Sequence, residues 1–150
     1  MSGPNSADLW QEVLAWLRVA ESDGRADRLC LTRDPPLVGI AAFHCEQAAE
    51  KLLKGFLVQA NTGFRRTHDL GAPAASVVAR FPAVEKLASP MRRWTAWGAA
   101  YRYPTETKPE PEPSAVELNA ALDLIERLAT HLRSLAPGDQ ADRNNGSDSS

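Results

Sequence analysis

Apolar residues recur three and four positions apart along most of this chain, and no stretch of strand length alternates convincingly with period two. The first run takes in Leu9, Trp10, Val13, Leu14, Leu17 and Ala20, and Ser6 or Asp8 can cap it. It continues through Ala26, Leu29 and Cys30, with Gly24 as a weak point, until Asp34-Pro35-Pro36 removes a backbone donor and restricts the residue before it. A second helix is predicted from Leu37 to about Ala60. Its wide apolar stripe includes Ala41, Cys45, Ala48, Ala49, Leu52, Leu53, Phe56 and Leu57. Glu50 and Lys54 add a favourable pair one turn apart, and Asn61 or Gly63 suits a left-handed stop.

A connector, FRRTHDLGAP, leads to a short helical piece around Ala74–Arg80, closed by Pro82. Ser89-Pro90 reads as a cap followed by Pro at the first helical position, opening a third long helix through Trp94, Trp97, Ala100 and Tyr101. Pro104 stops it. The segment PTETKPEPEP reads as a stiff extended loop, rich in proline and alternating charge. Ser114 and Glu117 then stand at capping-box spacing before a seam of Leu118, Ala121, Ile125, Leu128, Leu132 and Leu135. Pro137-Gly138 ends that helix, and residues 137–150 form a polar tail expected to be disordered. The fold class is therefore all-α: an antiparallel up-down four-helix bundle over 1–136, with a short extra helical piece between the second and third helices.

Composition narrows the function classes. Hydrophobic residues at 43% and charged residues at 24% describe an ordinary globular domain. The formal net charge of −2 falls wholly in the tail, where Asp139, Asp142 and Asp148 outweigh Arg143. The bundle itself is balanced, so it lacks the global positive field of a protein that grips long duplexes, and any nucleic-acid site must be a local cluster. Cys30 and Cys45 show no ligand spacing and read as reduced thiols. Neither a metal nor a cofactor is expected. The N-terminus has no signal-peptide pattern and no stretch is long and apolar enough for a membrane span, so a soluble, cytoplasmic protein is expected.

Three segments occur in a telling order: AAFHCEQAAEKLLKGFLV at 41–58, RTHDL at 66–70 and AYRYP at 100–104. Together with the four-helix layout they resemble the HEPN domain, in the branch found beside minimal nucleotidyltransferases, over about residues 8–135. The resemblance implies a two-fold dimer and one of several roles. These are a metal-independent ribonuclease, often a toxin; an inactive nucleotide- or RNA-binding module; or the partner of a nucleotidyltransferase antitoxin. The ribonuclease branches carry Arg-x4–6-His. Here the matching arginine is Arg102, and the positions where that histidine would fall are Thr107, Lys108 and Pro109. Arg127 and His131 imitate the motif with one residue too few between them.

Each candidate residue carries two readings. His44 shares a polar stripe with Gln47 and Lys51. It is either a half-buried histidine bonded to a neighbouring helix or a ligand of phosphate at a dimer cleft. His68 either anchors the loop at a helix start or joins Arg65 and Arg66 in a small cationic loop. Arg102 either satisfies a helix C-terminus or clamps a phosphate while Tyr101 or Tyr103 stacks on a base. Arg92 and Arg93 add to that clamp or face water. Trp94 and Trp97 read as core and His131 as surface. His44, His68 and Arg102 are the catalytic candidates; Arg102, Tyr101, Tyr103, Arg66, His68, His44 and Lys51 are the nucleotide or RNA contacts. Three functions remain open: an RNA- or nucleotide-associated module paired with a separate nucleotidyltransferase, a plain helical interaction protein, or a ribonuclease using His44 or His68 across a homodimer.

Overall fold

The computed structural model describes residue 3, residues 5–64, 69–102, residue 105 and residues 112–138, with the side chains of 100–102 excluded. Six α-helices are found among them: α1 (Ser6–Leu31), α2 (Val38–Gln59), α3 (Gly71–Arg80), α4 (Glu85–Ala88), α5 (Thr95–Arg102) and α6 (Ala115–Arg133). No strand occurs among the described residues, which agrees with the all-α expectation. None of these helices is long and apolar enough to cross a membrane.

Helix boundaries follow local chemistry. The cap of α1 is Asn5, whose Oδ1 accepts from the Asp8 amide at 2.8 Å, and not Ser6 or Asp8 as the sequence suggested. Asp8 instead places its charge in the first turn, where the helix dipole favours it. At the end of α2 the Asn61 amide donates to Val58 (2.9 Å) and the Thr62 amide to Leu57 (2.8 Å), a Schellman pair. Asn61 takes the left-handed conformation (φ 52°), so it and not Gly63 makes the stop. Ser114 caps α6 by accepting from the Glu117 amide at 3.1 Å.

The predicted third long helix is the main departure. Ser89–Trp94 winds as a 3-10 helix, and only Thr95–Arg102 is α-helical. The sequence contains the reason: Ala88, Met91 and Trp94 recur every three residues, and all three are buried. A three-residue turn puts them on one inward line, whereas 3.6 residues per turn would rotate them apart. The third leg of the bundle is thus assembled from pieces, α3 through α5. The short helical piece starts earlier than expected, at Gly71, where the Leu70 amide donates to Thr95 Oγ1 at 3.0 Å. Of the predicted tail only Pro137 and Gly138 are described, in a helical conformation.

Side-chain pairs fix the directions of the long helices. The Leu37 amide donates to Cys30 O at 3.0 Å across the α1–α2 corner, and α2 returns until Trp16 meets Phe64 edge-on at 6.0 Å. Arg28 near the end of α1 holds the first half of α6, while Glu21 pairs with Arg133 near its end, so these two helices are also antiparallel. The core gathers Val13, Leu17 and Ala20 of α1, most of α2, and Leu118, Leu122, Leu128 and Leu132 of α6.

Two helical glycines sit in opposite circumstances. A Cβ on Gly55 of α2 would lie 2.9 Å from Leu132 Cδ2 and 3.6 Å from Trp16 Cβ, so α1, α2 and α6 converge there. A Cβ on Gly24 of α1 would meet nothing within 4 Å, so the fold gains nothing for the roughly 1 kcal/mol a mid-helix glycine costs relative to alanine. Gly55→Val should therefore destabilise the bundle by about 1–3 kcal/mol through overpacking. Gly24→Ala should stabilise it by up to about 1 kcal/mol. Urea unfolding of both variants checks the opposite signs, and equal signs would contradict this packing.

A candidate functional site on the seam between the first two helices

Helix α2 is almost wholly enclosed, so its polar side chains find partners on α1, within α2 itself or just beyond α6. His44 and Lys51 lie about two turns apart on one face and both reach Asp23 of α1. Lys51 Nζ stands 2.6 Å from Asp23 Oδ2, and His44 Nδ1 stands 3.4 Å from Asp23 Oδ1. The histidine approach lacks hydrogen-bond alignment, and Nδ1 is buried without a hydrogen-bond partner. The Phe43 ring meets the imidazole edge-on at 5.4 Å. Gln47 turns its amide to Glu46 Oε2 at 3.0 Å. His44 is thus half-buried and faces Asp23 of the neighbouring helix.

One turn beyond Asp23 lies Asp27, which the sequence reading missed. It is fully buried, and neither carboxyl oxygen has a hydrogen bond among the described residues. Burial, and then the charge of Asp23, push its pKa from 3.8 up to about 8, so at neutral pH it holds its proton. Cys45 of α2 is buried beside it. Burial first, then the charge of Asp27, raise the thiol well above its ordinary value and leave it an inert thiol, as expected. A signal for Asp27 exists in the sequence, because it falls on the apolar line of Val13, Leu17, Ala20 and Leu31, one face of α1.

Other candidates are placed differently. His131 is not a surface residue: it is half-buried and stacks on Phe56 at 6.1 Å with 27° between the planes. Trp94 is core as expected, and Trp97 is half-buried and stacked on it at 5.3 Å. Arg92 and Arg93 are exposed. Tyr101 and Arg102 form the last turn of α5, which packs on α2, and their side chains lie outside the described structure. Tyr103, Arg65, Arg66 and His68 also lie outside the described residues.

The proton on Asp27 makes a pH prediction with a definite sign. The folded chain keeps a proton that the unfolded chain releases near pH 4, so stability is undiminished below about pH 4 and falls as pH rises towards about 8. Each pH unit over which the proton is retained costs about 1.4 kcal/mol. Asp27→Asn removes this titration, so its stability relative to wild type should grow steadily between pH 4 and pH 8. Urea midpoints across that range are the measurement. Parallel curves for the two proteins would show that Asp27 titrates normally.

Comparison with known proteins gives one match. Searches of the curated proteins and of the solved structures find no similar protein. The family model described as HEPN domain matches residues 13–134, from the second turn of α1 to the end of α6. That span is most of the chain and contains the whole bundle core. The chain belongs to the HEPN domain family and, in general terms, to its nucleotide- and RNA-associated helical modules.

Proposed function

We propose that this chain is a cytoplasmic HEPN module that binds RNA or a nucleotide as a homodimer. Its partner in this reading is a separately encoded nucleotidyltransferase, in a toxin–antitoxin-like pair. The observation that carries the proposal is the family match over residues 13–134, joined to a sequence in which Thr107, Lys108 and Pro109 stand where the ribonuclease histidine would fall after Arg102. Binding without the standard catalytic pair is the function that combination supports best.

The proposed contacts are local, as a charge-balanced bundle requires. Arg102 clamps a phosphate with its planar fork, and Tyr101 or Tyr103 stacks on a base. Arg66 and His68 supply a second cationic contact from the connector, and His44 and Lys51 supply a third from α2. Lys51 already shares its charge with Asp23, so its contribution is weaker than that of a free lysine.

A ribonuclease using His44 is a second reading with one observation in its favour. Nδ1 faces the Asp23 carboxylate, which leaves Nε2 as the ring nitrogen available to a substrate. A small rotation that aligned this pair would let the carboxylate orient the imidazole for proton transfer.

Dimerisation has a physical motive. Val19, Leu29, Leu37, Ile40 and Val116 are large apolar residues left between 38% and 79% exposed. Light scattering at micromolar concentration should give about twice the chain mass of 16.3 kDa. A single species at the monomer mass would remove the homodimer from the proposal.

The test of binding is Arg102→Lys. A charge that merely complements the α5 terminus survives this change, whereas a phosphate fork does not. Short single-stranded RNA should bind the variant roughly tenfold more weakly, about 1.4 kcal/mol, with an almost unchanged melting temperature. The titration is run at one salt concentration, because phosphate contacts are salt-sensitive. Equal affinities, or no binding by wild type, would end the clamp reading. RNA cut during the titration with a chelator present would favour the ribonuclease instead.

A further inference from the structure

We propose that the cleft between α1, α2 and α6 is a binding site for a small carboxylate with a compact apolar body, such as a single aromatic ring. The site is distinct from the proposed nucleotide contacts and stands whether or not they do.

The cleft has a volume of about 210 Å³. An engineered apolar cavity of about 150 Å³ is already large enough to take up benzene. Its walls are apolar: Ala20 from α1, Leu52 from α2, and Leu122, Ile125 and Ala129 from α6. Four of these five, all but Ala129, are no more than 3% exposed, so the cleft reaches the core of the bundle.

Its rim is charged, and the charges differ in how far they are satisfied. Arg28 is fully engaged. It donates to Asn119 Oδ1 (2.8 Å), Asp123 Oδ1 (2.8 Å) and Glu126 Oε1 (3.0 and 3.2 Å). Glu126 is spent on Arg28, and Glu21 on Arg133. Arg25 alone among the charged lining residues has no hydrogen bond or ion pair with a described residue. The charges named here balance, because Arg28 faces two carboxylates, and the one left unpaired at the mouth is the Arg25 guanidinium, above an apolar floor. That combination selects an anion carrying an apolar group, and a carboxylate matches the guanidinium fork.

Gly24 is the independent observation. It lines the cleft one turn from Ala20 and Arg28, in the middle of a helix that a glycine weakens. No atom of the described residues lies within 4 Å of the Cβ it lacks, so their packing does not require glycine here. What its absence of a side chain does is keep the mouth of the cleft open. Gly55 has the opposite arrangement: its space is already taken by Leu132 and Trp16.

The test uses the full chain, with benzoate and benzylamine as matched probes of opposite charge, followed by amide NMR shifts. Benzoate should bind saturably with a millimolar constant and shift the amides of Gly24, Leu52 and Ile125. Benzylamine should bind roughly tenfold more weakly. Gly24→Leu places a side chain in open space, so the bundle should stay folded while benzoate binding is lost. Arg25→Gln, at an exposed position, should keep benzoate binding but bring the two probes within about twofold. No saturable shift with benzoate at about 10 mM would overturn the proposal. So would benzoate shifts that persist in Gly24→Leu, or a benzoate preference that survives Arg25→Gln. A change of oligomeric mass in Gly24→Leu would also overturn it, because the cleft would then be an interface between chains.

Discussion

Nearly everything in this bundle depends on α2 having almost no surface of its own. Its residues Ala41, Ala42, Ala48, Ala49 and Gly55 are small enough for α1 and α6 to close on it. Small side chains lower the distance between helix axes, and the larger residues that remain, such as Leu52, Leu53 and Phe56, are fully buried. The arrangement has a cost. Each charged residue on such a helix is desolvated and must be paired. Glu50 with Lys54 at 2.8 Å, Lys54 over the Trp16 and Phe64 rings, and Lys51 with Asp23 all follow from that requirement. The polar seam is in this sense a consequence of the packing, whatever use is made of it.

Asp27 does not fit that rule, and the difference is informative. A buried carboxyl with no hydrogen bond is a recognised source of large destabilisation, and proteins avoid it by pairing or replacement. Here the charge is avoided by keeping the proton, at a stability cost that grows with pH. Leucine at this position would continue the apolar line of α1. Retention of an acid there gives α1 a group whose protonation responds to its surroundings, four residues from the Asp23 that pairs with Lys51 and faces His44.

The sequence made the long helices legible because their apolar periods are long and their stops are chemical. Both boundaries of α2 fall within a residue or two of expectation, and Ser114 caps α6 as its spacing suggested. The third leg was misread for a physical reason. Ser89-Pro90 does suit a helix start, but the three-residue spacing of Ala88, Met91 and Trp94 favours a tighter winding. The site was legible only from one side. His44 and Lys51 stand on the strongest helix and were visible as a polar stripe. Their shared partner Asp23 was not, because pairing between helices leaves no trace in spacing along one of them. His131 was misplaced for the same reason, since its Phe56 neighbour lies on another helix.

One turn of α1 gathers the weaknesses. Gly24 and Asp27 lower the stability of a helix or of its burial, and they stand within one turn of Asp23, whose carboxylate pairs with Lys51. They do not point the same way. Asp23 and Asp27 turn to α2 and its histidine, lysine and cysteine, while Gly24, with Arg25 and Arg28, turns to the cleft against α6. The opposing constraint is Arg28, which ties this same turn to Asn119, Asp123 and Glu126 and so keeps it helical despite what it contains. Local departures from the most stable choice, held in place by a compensating network, are what a functional segment looks like in a fold that is otherwise consistent from caps to core. One turn of α1 thus faces two unlike surroundings, the polar seam with α2 and the apolar cleft against α6.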